Sequence, residues 1–275
     1  MIVRDKFYIN GEWVPPIGQG TLEVVDASSE EVMACVPAGA VEDANNAVEA
    51  ASAAFESWGM TTPQQRQDYL RKLHTAMAAR QDELAEIMAG EVGMPLSMAK
   101  SIQAGLPLQG VSNFIKILDN YSFEETLGNS DIIKEPVGVV ACITPWNFPL
   151  HQIMAKVCPA LAAGCTVIVK PSEVAPLTAF MLAEMVEEAG FPAGVVNVIT
   201  GLGPVVGEAL ATHPKVDMVS FTGSTRAGKR VAELAADTVK RVVVELGGKS
   251  PSLILDDADI DEAVRGTVND CYFNS

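Results

Sequence analysis

The run VGVVACITPWNFPLHQIMAKVCPALAAGCTVIVKPSE, residues 137–173, decides the fold. It opens on an unbroken apolar segment at 137–143. A turn bracketed by Pro145 and Pro149 follows, then a helical pattern over 150–163, then a second apolar segment at 166–169. Strands that are apolar without alternation fit a parallel sheet covered by helices on both faces. The rhythm repeats downstream: helix over 176–190, strand at 195–199, helix over 203–212, strand at 218–221, helix over 223–236 and strand at 241–246. A further strand is expected at 252–255, and a helix from 260 to 272. Residues 136–275 are thus predicted to form a doubly wound α/β domain, with a parallel sheet and ligands in the crevice at the carboxyl ends of the strands.

Upstream the pattern differs. Between 7 and 25, short β-like runs are punctuated by Asn10-Gly11 and by Gly18-Gln19-Gly20, a hairpin signal. The alanine-rich stretch 41–58 places Val41, Val48, Ala51 and Phe55 at helical spacing. Over 64–91 a single longer helix is expected, with Tyr69, Leu70, Leu73, Met77, Leu84, Ile87 and Met88 in one stripe, ended by Gly93 and Pro95. Another helix is expected over 108–118, and 130–137 reads as extended. Residues 1–135 are read as a hairpin-and-helix segment packed on the α/β domain.

The chain has 275 residues, 48% of them hydrophobic and 20% charged, enough for a sizeable core and too apolar for disorder. Asp and Glu number 35 against 19 Lys and Arg, a net charge of -16. That excess disfavours nucleic acid and anionic membranes as partners, because their phosphates are repelled. The five cysteines, 35, 142, 158, 165 and 271, show neither CxxC nor Cys/His spacing, so a disulfide scaffold or metal site is not expected. Asp5 and Lys6 interrupt any leader-like start, and the apolar run 157–169 is short and contains Pro159. A cytoplasmic location without a membrane span is expected.

Five strand-end turns should lie along one rim. Thr144-Pro-Trp-Asn-Phe-Pro149 is stiffened by its prolines, which suits an Asn147 amide aimed at developing negative charge. Alternatively Asn147 caps the following helix and Trp146 is a packing residue. In Lys170-Pro-Ser-Glu173 an ammonium and a carboxylate could hold ribose hydroxyls, and the carboxylate would repel a 2′-phosphate; a solvated loop with a weak ion pair is the alternative. Gly201-Leu-Gly203-Pro-Val-Val-Gly207 is one residue longer than the usual dinucleotide fingerprint. Phe221-Thr-Gly223-Ser-Thr-Arg-Ala-Gly228 gives a close approach at Gly223 and a helix start at Ser224 or Thr225, fit for a pyrophosphate or simply for capping. In Val242-Val-Val-Glu245-Leu-Gly-Gly-Lys249, a carboxylate after three valines is expected to be desolvated and raised in pKa, as a general base needs, or else paired with Lys249.

Together and in this order, ITPWNFP, KPSE, the glycine turn at 201–207, SFTGST and ELGGKSP, with FYINGEWV near the start, resemble the aldehyde dehydrogenase superfamily over essentially the whole chain. The resemblance implies that family's Rossmann-like NAD-binding domain, with an N-terminal helical and hairpin segment. It implies NAD-dependent oxidation of an aldehyde to a carboxylic acid through a cysteine thiohemiacetal and thioester, by a homo-oligomer. Asn147 would hold the oxyanion and Glu245 would activate the hydrolytic water. Cofactor contact would fall to Ile143, Thr144, Pro145, Trp146, Lys170, Ser172, Glu173, Gly203, Gly207, Phe221, Thr222, Gly223, Ser224, Thr225, Gly228, Leu246 and Gly247. In the family, FNS-like residues are soon followed by the nucleophilic cysteine. Here Phe273-Asn-Ser275 closes the chain. The expectation is therefore a chain without its nucleophile and catalytic domain, inactive alone, or else a non-catalytic NAD-binding module. Cys271 falls about two helical turns early for the role, and the other four cysteines read as core residues.

Overall fold

The computed structural model describes residues 1–274. The N-terminal part contains β1 (Ile2–Val3), β2 (Phe7–Ile9), β3 (Glu12–Val14), β4 (Gly20–Val25), β5 (Val32–Ala38), α1 (Val41–Gly59), α2 (Pro63–Ala79) and α3 (Gln81–Val92). A short α4 (Leu96–Met98) runs into a π-helical turn at Ala99–Gln103, then come α5 (Gly105–Leu118), β6 (Glu124–Leu127) and β7 (Ser130–Ile133). The repeating part contains β8 (Val139–Ile143), α6 (Pro149–Ala163), β9 (Thr166–Lys170), α7 (Leu177–Glu188) and β10 (Val196–Val198). A π turn at Gly203–Gly207 leads into α8 (Glu208–Thr212), followed by β11 (Met218–Gly223), α9 (Thr225–Ala236), β12 (Arg241–Leu246) and α10 (Ile260–Tyr272).

The main sheet has the order β12-β11-β8-β9-β10-β2-β3. Its first five strands are mutually parallel. Antiparallel β2 and β3 extend it. Along β8, successive side chains go to opposite cores: Val139, Ala141 and Ile143 join α1, α8 and α9, while Val140 and Cys142 join α2 and α6. Both faces are covered, which is why the strand is apolar throughout. The Asn10-Gly11 signal makes the β2–β3 turn, both residues having positive φ (55° and 77°), the backbone a tight hairpin needs.

Three expectations change. The stripe over 64–91 belongs to two helices, broken at Arg80 (φ -109°, ψ 18°), whose guanidinium pairs with Glu83 and Glu184 at 2.7 Å each. Both helices face one core, so the stripe continues across the break. The 252–255 segment is no strand: it has no partner among the described residues, and Leu253, Ile254 and Leu255 are exposed. The helix expected over 203–212 is a π turn followed by five α-helical residues. β7 pairs with β6 in a separate, exposed two-stranded ribbon.

Candidate functional site

β8 leads to β9 on one side and β11 leads to β12 on the other, yet β8 and β11 are neighbours. Connections leaving in opposite directions open a crevice beyond Ile143 and Phe221, which are paired in register. A cavity of about 1110 Å³ lies there. Its wall includes Ile143, Thr144, Pro145, Trp146, Asn147, Lys170, Ser172, Glu173, Gly203, Phe221, Thr222, Gly223, Ser224, Glu245, Leu246 and Gly247, which the sequence nominated from separate turns. Gly207, Thr225 and Gly228 do not line it. Gly207 is buried at the end of its π turn and Thr225 is the first residue of α9. At Gly228 a side chain would collide with Leu246, so this glycine serves close helix-to-strand packing.

Asn147 sits in the loop between β8 and α6. Phe148, not Asn147, occupies the N-cap position of α6, and no side chain caps that helix. Pro149 at the first helical position removes one of the amides a cap would serve. The capping alternative therefore falls. The Asn147 carboxamide has no hydrogen-bond partner among the described residues, while its main-chain carbonyl accepts from Gln103 Nε2 at 3.0 Å and from Asn274 Nδ2 at 2.9 Å. Thr144 N–H donates to the Lys170 carbonyl at 3.1 Å, tying this loop to the end of β9. Trp146 stands 40% exposed on the wall of the cavity.

Lys170 is 2% exposed, so its turn is not the solvated ion pair considered above. Its Nζ donates to the Pro171 carbonyl at 2.9 Å and to Glu173 Oε2 at 3.3 Å. Burial pushes the ammonium pKa down, and the Glu173 charge opposes that shift. The Glu173 side chain keeps 41% exposure, so it can accept from a ligand. Ser224 caps α9 by accepting from Ala227 N–H at 3.2 Å.

Glu245 departs from expectation. It is paired with Thr222 across β11 and β12 but is exposed, because β12 is the outermost strand of its sheet. It forms no ion pair with Lys249. The expected desolvation is absent here, whereas the expected position on the cavity wall is met.

Several wall residues escaped the sequence reading. Gln152, Ala155 and Lys156 face the cavity from α6 at helical spacing, next to His151. Lys156, 8% exposed, donates to Thr222 Oγ1 at 2.6 Å. Burial lowers its pKa, while Cys142 and Glu245 nearby act against that shift. A lysine inside an otherwise apolar helical pattern was the available signal. Burial also lowers the pKa of His151. Val174, Ser220 and Val243 complete the wall. No described cysteine lines it. The thiol of Cys142 is pushed up to about 12 by burial and that of Cys158 rises for the same reason, as fits core residues. Cys271 is exposed on α10. Among the described residues there is no cluster of potential metal ligands.

A sequence profile described as the aldehyde dehydrogenase family matches residues 13–275. A 3-succinoylsemialdehyde-pyridine dehydrogenase from a Pseudomonas species is 48% identical over 98% of this chain and 57% of its own length. The structure resembles that of an aldehyde dehydrogenase from Bartonella henselae (TM-score 0.97, 43% identity, covering 100% of this chain and 58% of that one). It also resembles a mutant of aldehyde dehydrogenase C from Pseudomonas syringae in complex with NAD+ and octanal (TM-score 0.96, 47% identity, 98% and 55%). The chain thus spans somewhat over half the length of the relatives it matches.

Proposed function

This chain belongs to the aldehyde dehydrogenase family, and from that membership we propose that the β8–β11 cavity binds NAD and forms the cofactor half of a site that oxidises an aldehyde to a carboxylic acid. The observation that carries the reading is a convergence. An amide without a partner among the described residues (Asn147), an exposed carboxylate (Glu245) and a carboxylate beside a buried ammonium (Glu173 and Lys170) share one cavity at the sheet's switch point. The cavity is large enough for a dinucleotide, and Gly223 brings backbone rather than side chain to its wall.

In this reading Glu173 and Lys170 hold the adenosine ribose, and Glu173 disfavours a 2′-phosphate. The start of α9 at Ser224 faces the pyrophosphate. When bound, NAD supplies the hydride acceptor. Asn147 donates its amide N–H to the oxyanion that forms when a thiolate attacks the aldehyde carbonyl. Glu245 takes a proton from the water that hydrolyses the resulting thioester. No described cysteine lines the cavity, so this reading leaves the thiolate to the portion of the relatives' length that this chain does not span. Residues 1–275 by themselves would bind NAD without turnover. The same proposal treats 1–135 as the supporting segment and 136–275 as the nucleotide-binding unit, and takes the protein to be a cytoplasmic homo-oligomer. No described helix is long and apolar enough to cross a membrane.

Calorimetric titration of the chain with NAD should show saturable binding. In the complete gene product, Asn147→Ala should cut kcat for aldehyde oxidation by about 100-fold, the effect of losing one oxyanion donor. Absence of heat at millimolar NAD, or an unchanged kcat in the variant, would overturn the reading.

A further inference from the structure

The carboxamide of Asn147 can serve as a preorganised donor only if something holds the loop that carries it, and the two prolines fix only part of that backbone. The hold comes from the N-terminal segment. Ala104 N–H donates to the Ala99 carbonyl at 2.9 Å, a bond that spans five residues and inserts one residue into the helical path before α5. An insertion of this kind rotates the next side chains by about 100° relative to an uninterrupted α-helix. Gln103 is the last residue of that turn. It is fully buried, and its Nε2 donates to the Asn147 carbonyl at 3.0 Å and to Asn274 Oδ1 at 3.5 Å. Asn274 Nδ2 in turn donates to the same Asn147 carbonyl at 2.9 Å. One carbonyl thus accepts two amide donors, one from 44 residues before it and one from 127 residues after it.

A glutamine buried this completely is costly to place unless its groups are used. Here Nε2 is used twice, and Oε1 has no partner among the described residues. Placing a bifurcated donor on the carbonyl of the residue that carries the free carboxamide has a direct consequence. The peptide following Asn147 cannot rotate without breaking both bonds, so the backbone from which the Asn147 side chain springs is held in place on the cavity wall. We propose that Gln103, presented by the π turn, is the positioning residue for Asn147, setting the oxyanion donor through its main-chain carbonyl without touching the substrate. This inference rests on the reading of Asn147 given above.

The test uses the complete gene product with Gln103→Leu, Gln103→Glu, Asn147→Ala and the double variant Gln103→Leu/Asn147→Ala. Gln103→Leu should lower kcat about tenfold, the fold-change of one net hydrogen bond, while the Kd for NAD stays within about twofold. In the Asn147→Ala background the same substitution should have no further effect on kcat, because its target is already gone. Gln103→Glu should add an ionisation to the pH profile of kcat, with activity recovering as pH falls and the carboxyl regains a proton to donate to the Asn147 carbonyl. Amide hydrogen exchange in the peptide spanning 144–149 should speed up in Gln103→Leu. Multiplicative kcat losses in the double variant, or unchanged exchange over 144–149, would overturn the proposal. A wild-type protein without aldehyde turnover would instead defeat the functional reading, and the exchange experiment would still decide whether Gln103 holds the loop.

Discussion

Glu91 offers a sharp test of how this structure is held together next to the site. It sits near the end of α3, 3% exposed. Its Oε1 accepts from Leu177 N–H at 2.7 Å, the first residue of α7, and Oε2 has no partner among the described residues. α7 begins four residues after Glu173, so this bond anchors the far end of the Lys170–Glu173 turn. Burial pushes the carboxyl from its ordinary 4.5 up to about 8, although the Leu177 bond pulls the other way. The folded protein therefore keeps a proton that the unfolded chain releases above pH 4.5. Stability from this group is fully present below that pH and is lost as pH rises toward 8. The loss is about 1.4 kcal/mol per pH unit in that window, or about 5 kcal/mol in all as an order of magnitude. Glu91→Gln keeps an oxygen for Leu177 N–H and removes the titration. Urea unfolding followed by circular dichroism at pH 5, 6, 7 and 8 should show the variant gaining on wild type at each step, least between pH 7 and 8 where the folded carboxyl itself titrates, by roughly 3 kcal/mol in all. Parallel stability curves for the two proteins would refute a protonated Glu91 in the fold. Glu91→Ala should lose the α7 contact at every pH, at a cost of about 2 kcal/mol or more.

Other outcomes follow from single contacts. Glu173→Gln should raise the Kd for NAD about tenfold by calorimetry and narrow the preference over NADP, since a charged acceptor for the ribose is lost. Gly138→Ala should destabilise the fold by about 3 kcal/mol in denaturant titration. The reason is that Gly138 has φ +124° and a methyl group there would collide with the Asp217 carboxylate, which accepts from Val139 N–H at 2.8 Å. A disulfide exchange reagent should modify Cys271 quickly in the native protein and Cys142, Cys158 and Cys165 only on unfolding, because those three are buried. Equal rates for all four would contradict the packing of α6 and β9 on the sheet.

The sequence made legible whatever depends on neighbours along the chain. The apolar run at 137–143 announced a strand covered on both faces, and β8 divides its side chains between two cores. Turns at strand ends announced the rim, and most of the residues named there share one cavity. What stayed hidden depends on partners far away in sequence. Lys156 acquires its role from Thr222, 66 residues on. Gln103 meets Asn147 across 44 residues, and only because a π turn shifts the helical register in a way no apolar period reveals. Glu245 was expected to be desolvated because it follows three valines. Whether a strand is covered depends on its place in the sheet, and β12 is the edge. The break at Arg80 was masked for a related reason: two helices facing one core share a stripe.

The charge distribution yields a last consequence. A net charge of -16 should repel a dinucleotide, whose pyrophosphate is anionic. Yet the two ammonium groups on the cavity wall, Lys156 and Lys170, are 8% and 2% exposed. Salt screens exposed charges over about 8–10 Å at physiological strength, but it screens buried ones far less. The repulsion from the acidic surface is thus the salt-sensitive part of the interaction, and the pull of the two buried ammonium groups, set against Glu173 and Glu245 on the same wall, is the salt-resistant part. Raising NaCl from about 20 to about 200 mM should therefore leave the Kd for NAD unchanged or lower it, the opposite of what a site built from surface lysines shows. A Kd that climbs more than about fivefold over that range would mean that the anion is held by exposed cations elsewhere on the molecule, and that the buried lysines between α6 and β9 serve the fold alone.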